Sequence, residues 1–215
     1  MIKMVPITSI ARKGSCHINF FLFISYEFVR DFLKLVCDVE CASETGISLF
    51  SKSRNIPCIS QFSIVVGDAP RIQHFVKVHD FARMIAIAEG MNEEDLFVLE
   101  AAAILHDVGI HVSEARYGNC DGKHQEELGP DEARKVLSEV DGFTAAQTDR
   151  ICWLIAHHHT YKDVTSLDHR ILLEADFLVN SFEDHLAPEG IITFRDHVFR
   201  SKSAIRMLND MWGLE

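Results

Sequence analysis

The sequence predicts an all-α protein, on three observations. Apolar residues recur with a helical period through most of residues 71–211, helix-start signals precede several of these stretches, and no stretch sustains the period-two alternation and turn spacing of a sheet. No internal repeat is visible.

From Arg71, the residues Val78, Phe81, Ala82, Ile85 and Ala88 share one side of a first helix that ends at Gly90. His74 lies on that inward stripe, whereas His79 is turned about 140° from it at ~100° per residue, which makes the His79-Asp80 pair a decoy. A second helix starts after Asn92, an N-cap followed by Glu93, Glu94 and Asp95 at the positive end of the helix dipole. It is apolar almost all round over residues 96–105, the mark of a central, buried helix, and delivers His106 and Asp107 to its end just before Gly109. Residues 110–130, rich in Gly, Asn and charge, read as a long loop that forms one wall of a site and carries Lys123, His124, Gln125, Glu126 and Glu127. Helices are expected at 131–140, at 145–159 behind a Thr144/Gln147 capping box, at 167–182 after Ser166, and around 201–211.

Composition narrows the function. The net charge of −11 argues against a nucleic-acid polymer as partner, because phosphate backbones are gripped by clustered Lys and Arg. A phosphorylated substrate would need a metal to supply positive charge. The six cysteines, at 16, 37, 41, 58, 120 and 152, show no Cys-x-x-Cys spacing and read as free thiols of a reducing, cytoplasmic compartment. Cys37 and Cys41 share a helical spacing, but no nearby His or Cys completes a zinc site. The early apolar run at 18–26 is too short to span a bilayer, and Glu27, Arg30 and Asp31 interrupt the stretch after it, so no membrane partner is expected. The aromatic-rich stretch 20–36 reads as a helix that packs on the main domain or on another chain, which leaves a homo-oligomer open.

Only His17 of the twelve histidines precedes residue 70, so the chemistry lies in the C-terminal two thirds. Divalent metals accept mixed imidazole and carboxylate ligands pointing inward from several helices of a bundle. His74 and the His106-Asp107 pair meet that description, and so does Asp176, set among Ile171, Leu172, Leu173, Ala175, Phe177 and Leu178, where an unpaired carboxylate would be costly. In the run His157-His158-His159, the helical pattern aims His158 inward with His159 beside it.

These residues together resemble the HD superfamily of metal-dependent phosphohydrolases over about residues 56–212. The matching stretches are HFVKVHDFARMIA, AAAILHDVGI, GKHQEELGPDEARKVL, IAHHHT and LLEADFLVN, in the family's order. The resemblance implies a helical bundle with the metal in its core over residues 56–215, preceded at 1–55 by a segment of unknown role that is a packed or loosely ordered helix. It implies His74, His106, Asp107 and Asp176 as ligands of a divalent ion (Fe, Mn, Zn, Ni, Co or Mg), with His124 and His158 as candidates for a second metal or the phosphate. His124 departs from the family pattern, because Gly129 lies five residues along rather than four. The implied activity is hydrolysis of a small phosphorylated substrate such as a nucleotide, with Asp107 orienting the attacking water and His158, with His159 or Lys123, serving the phosphate or the leaving group. Two other functions fit the same scaffold: a di-iron oxygenase, and a non-enzymatic regulatory module that the metal only stabilises.

Overall fold

The computed structural model describes residues 67–215. The segment 1–55, its boundary with the main domain and the cysteines at 16, 37, 41 and 58 lie outside the described residues. Within them the chain forms eight α-helices and no strand: α1 (Ala69–Ala88), α2 (Glu93–Leu105), α3 (Ile110–Tyr117), α4 (Gly122–Ser138), α5 (Ala145–Ile155), α6 (Leu167–Glu183), α7 (Pro188–Val198) and α8 (Lys202–Trp212).

Helix α1 begins where Asp68 accepts a hydrogen bond from the Arg71 amide, with Pro70 in the first turn, and its buried residues include His74, Val78, Ala82 and Ile85. Helix α2 begins on Asn92, whose side chain accepts from the Glu94 and Asp95 amides at 3.1 and 3.0 Å. Every residue from Phe97 to Leu105 is buried, because α2 packs on α1, α5 and α6 together. The stretch Glu93–Tyr117 is long and apolar enough to cross a membrane, yet 78% of its most apolar window is covered by the protein itself. Glu100, buried within that helix, is answered by a close ion pair with Arg83 and by His79 at 3.5 Å, so His79 serves the α1–α2 contact. Helix α6 is buried from Ile171 to Val179, Asp176 included, and packs along α1.

The expected loop at 110–130 is instead helix α3 and the first half of α4. Its Gly and Pro residues act as punctuation within helical structure. Gly118 closes α3 in the left-handed conformation (φ 74°), and Asp121 opens α4 by accepting from the His124 amide at 3.0 Å. Pro130 sits inside α4, where it forgoes one backbone bond while its own carbonyl accepts the Cys152 thiol at 3.4 Å. The helix expected at 131–140 is the second half of α4. The capping box at Thr144 and Gln147 forms, but α5 stops at Ile155 and residues 156–159 turn. Helix α7 is not among the expected helices: it buries only Ile191, so its apolar stripe is short, and its one sequence signal is Pro188 in the first turn.

The turn after α2 passes the middle of α4 at backbone distance. A Cβ added at Gly109 would lie 2.8 Å from the Gly129 nitrogen and 2.9 Å from its Cα. Backbone cannot yield as a flexible side chain can, so this contact locks the His106-Asp107 turn against α4. Gly109 has an ordinary helical φ of −75°, at which alanine would otherwise stabilise by reducing unfolded-chain entropy. Gly109→Ala is therefore expected to destabilise the metal-free protein by about 1–3 kcal/mol in denaturant unfolding; a neutral or stabilising result would show that the contact relaxes.

Candidate metal centre

Three helices bring the candidate ligands together. His74 comes from the second turn of α1, His106 and Asp107 from the end of α2, and Asp176 from the middle of α6. His106 can reach the same point as Asp107 because α2 stops there and the chain turns at 106–109. The His74 Nε2 atom lies 3.2 Å from His106 Nε2, 3.2 Å from Asp176 Oδ1 and 3.7 Å from Asp107 Oδ2. His106 Nε2 is 3.5 Å from each of the same two carboxylate oxygens. Ligand atoms sharing one ion at about 2.0–2.2 Å stand about 3.0–3.5 Å apart, so this spacing fits a single divalent cation.

The hydrogen bonds behind the ligands fit it as well. His74 Nδ1–H donates to Glu183 Oε2 at 2.8 Å, His106 Nδ1–H to the Ala103 carbonyl at 2.8 Å, and His158 Nδ1–H to the Ile155 carbonyl at 2.6 Å. Each of these acceptors requires the proton on Nδ1, so in the neutral ring the Nε2 lone pair faces the cluster. His74, His106, His158 and Asp176 are all buried, while Asp107 keeps 15% of its side chain exposed and marks the open side.

Asp107 joins this cluster to a second one. Its Oδ1 lies 3.3 Å from His158 Nε2, and Asp107, His158 and His159 form a further group with metal-ligand spacing. Buried Gln125 is wedged into that group. Its amide N–H donates to the Cys120 carbonyl at 2.6 Å, which turns Oε1 toward His158 Nε2 at 3.3 Å and His159 Nε2 at 3.0 Å. His124 does not join: its ring stacks on Tyr117 with centroids 4.0 Å apart, and its Nδ1 is 2.9 Å from the Asn119 Oδ1. Lys123 is exposed at the start of α4. His157 faces away, stacked on Trp153.

Four supporting residues were given no role from the sequence, Gln125 and Glu126 being named there only as part of the wall at 110–130. Gln125 orients the two histidines, and Glu126 accepts from the His159 amide and the Thr160 hydroxyl, both at 2.9 Å, which fixes the turn that carries them. Asn180 donates to Asp176 Oδ1 at 2.9 Å, and Glu183 holds His74. A signal for the last two existed: residues 176, 180 and 183 fall on one helical face.

Charge is tightly coupled here. Burial disfavours the His74 imidazolium, but its bond to Asp176 and the charges of Asp176 and Asp107 outweigh burial and raise its pKa to about 9. His106 is also raised against burial, by Asp107 and Asp176. Burial would lift Asp107, yet the His106 charge and the His158 hydrogen bond bring it to about 2, while His106 and His74 hold Asp176 below the ordinary carboxylate range. Burial, then the charge of His158, pushes His159 down to about 4, so His159 is neutral at pH 7 and donates its Nε2–H to Gln125.

A raised histidine pKa gives a signed pH dependence. The His74 contribution to metal-free stability is fully present below its unfolded value near 6.5 and is lost as pH rises through about 9. A cation must displace the same proton, so metal affinity rises across that window. His79, raised to about 9 by Asp80 and Glu100 against its burial, adds to the stability trend in both forms. The gap in melting temperature between metal-loaded and chelator-treated protein is therefore expected to widen from pH 6.5 to 9; a constant or narrowing gap would contradict the coupling.

Comparisons with known proteins agree with this geometry. The crystal structure of a predicted HD superfamily hydrolase from an uncultured Thermotogales bacterium is similar to this chain with 26% identity and a TM-score of 0.53, covering 73% of this chain and 83% of that one. No curated protein matches. The family model of the HD domain matches residues 71–181, a span that begins one turn before His74, takes in His106, Asp107 and Asp176, and covers more than half of the chain. The chain belongs to the HD-domain family.

Proposed function

We propose that the protein is a metal-dependent phosphohydrolase that cleaves the phosphoester of a small metabolite, with a nucleotide as the leading substrate class. The observation that carries this reading is that Asp107 Oδ2 and Asp176 Oδ1 each lie 3.2–3.7 Å from both His74 Nε2 and His106 Nε2, themselves 3.2 Å apart, with both ring nitrogens set as acceptors by their Nδ1–H bonds. Two imidazoles and two carboxylates suit a borderline divalent ion such as Mn, Fe, Co, Ni or Zn better than a hard, all-oxygen ion such as Mg. Membership of the HD family and the similarity to a predicted HD superfamily hydrolase support hydrolysis.

His74, His106, Asp107 and Asp176 would hold the cation, which would supply Lewis acidity toward a phosphoryl oxygen and a water. The chain's own groups do the rest. Asp107 has one carboxylate oxygen at the ligand cluster and the other 3.3 Å from His158, so it is placed to orient a water on the open side. His158, its ring fixed by the Nδ1–H bond to the Ile155 carbonyl and its Nε2 3.3 Å from Asp107 Oδ1, is placed to serve the phosphoryl oxygens or the leaving group. His159, neutral and tied to Gln125, serves as a donor and spacer rather than as an acid. With a net charge of −11, the chain suits a small phosphorylated substrate rather than a polymer.

The second cluster at Asp107, His158 and His159 gives the di-iron oxygenase its one structural support. Gln125 inside that cluster and His124 outside it favour one metal. Metal analysis of the purified protein, combined with phosphate release from a nucleotide and phosphomonoester panel, separates the readings. The phosphohydrolase is expected to hold one divalent ion per chain, to lose it in Asp107→Ala, and to slow about 10²–10⁴-fold in His158→Ala with the metal retained. Two irons with oxygen uptake and no phosphate release would select the oxygenase, and one metal with no turnover of any phosphoester would select a regulatory module.

A further inference from the structure

Each inward-facing histidine has its Nδ1–H tied down, but the ties differ in kind. His106 and His158 donate to main-chain carbonyls one turn back in their own segments, Ala103 and Ile155. His74 alone donates to a charged side chain, Glu183, and reaches across from α1 to α6 to do so. Glu183 is the last residue of α6, seven after Asp176 and on the same face, so one helix supplies both a ligand and the brace of another ligand. Its second oxygen takes a close ion pair from Lys77, which stands one turn after His74 on α1. The chain His74–Glu183–Lys77 thus runs from the buried cluster to the surface, where Glu183 is 28% and Lys77 38% exposed. Glu183 lies beyond the residues 71–181 that match the family model.

We infer that Glu183 is the positioning residue that sets the metal affinity of His74, and that Lys77 limits how much of its negative charge reaches the imidazole. This rests on the metal reading of the site and not on the reaction assigned to it. A carboxylate accepting Nδ1–H does two things to the ring: it excludes the tautomer with the proton on Nε2, and it makes Nε2 a stronger electron donor. Neither effect is available to His106 or His158 in adjustable form, because their acceptors are main chain. Lys77 draws charge away from the same carboxylate, so removing Lys77 should leave the brace intact and more basic. If Glu183 were only one half of an ion pair between α1 and α6, removing either partner would be equivalent: both would lower stability, and neither would single out metal binding.

The test is the affinity of the full-length, chelator-treated protein for Zn²⁺ alone, measured in competition with a chromophoric chelator, for wild type, Glu183→Ala, Glu183→Gln and Lys77→Met. Glu183→Ala is expected to weaken Zn²⁺ binding by about 10–100-fold, the usual cost of losing such a partner. Glu183→Gln keeps an acceptor without the charge and should fall between Glu183→Ala and wild type, which keeps the test usable if the alanine variant folds poorly. Lys77→Met should bind Zn²⁺ at least as tightly as wild type. In the Zn²⁺ form, the hydrogen-bonded Nδ1 proton of His74 should give a downfield proton resonance that Glu183→Ala loses. Affinities of Glu183→Ala and wild type within about twofold of each other would overturn the inference, as would equal weakening by Glu183→Ala and Lys77→Met. Absence of Zn²⁺ binding in wild type would overturn both this inference and the metal reading, whereas Glu183-dependent binding without phosphoester turnover would sustain the inference and remove only the proposed reaction.

Discussion

Asp107 and Asp176 bring two carboxylates to one point within the apolar bundle, and the arrangement around them reflects what that costs. Asp176 is flanked by fully or nearly fully buried apolar residues on α6, and Asp107 comes after a helix whose last nine residues are all covered. An ion withdrawn from water carries an effective penalty of several kcal/mol, against roughly 1.5–3 kcal/mol contributed by a buried Leu or Ile. Each such carboxylate would cancel one or two core residues unless positive charge met it. His74 and His106 provide that charge when protonated, and a divalent cation provides more of it at higher pH. The elevated pKa of His74 and the depressed pKa of Asp107 are two views of one requirement.

The helices are arranged so that this requirement is met at one point. Helix α2 is central because it is apolar all round, and a central helix that stops abruptly releases two neighbouring side chains from their ~100° divergence. The stop is held by the approach of Gly109 to Gly129, and α4 also sends Gln125 and Glu126 to the turn at 156–160. Residues outside the candidate ligand set thereby decide where His158 and His159 point. Hydrogen bonds from Nδ1 then settle which ring nitrogen His74, His106 and His158 offer.

The residues that converge in the candidate cluster were legible in the sequence because each breaks a pattern. His74 is a polar residue on an apolar stripe, His106 and Asp107 end an apolar helix, and Asp176 interrupts an apolar run. The capping box at Thr144 and the N-cap at Asn92 were legible for a different reason: local chemistry fixes them without tertiary information. The region 110–130 was not, because Gly, Asn and Pro punctuate helices as readily as they build loops, and the choice depends on whether neighbouring helices pack there. Gln125 was hidden between His124 and Glu126, and only the crossing of α4 over the 156–160 turn shows which of the three enters the site. Glu183 was hidden by distance, since 109 residues separate it from the histidine it holds.

Everything proposed for the site depends on one cation binding among His74, His106, Asp107 and Asp176. Anomalous diffraction from crystals grown with Mn²⁺, recorded near the manganese absorption edge, tests this directly. A single strong peak is expected within bonding distance of both histidine Nε2 atoms and both aspartates. A peak confined to Asp107, His158 and His159, or the absence of any peak in the bundle core, would contradict it.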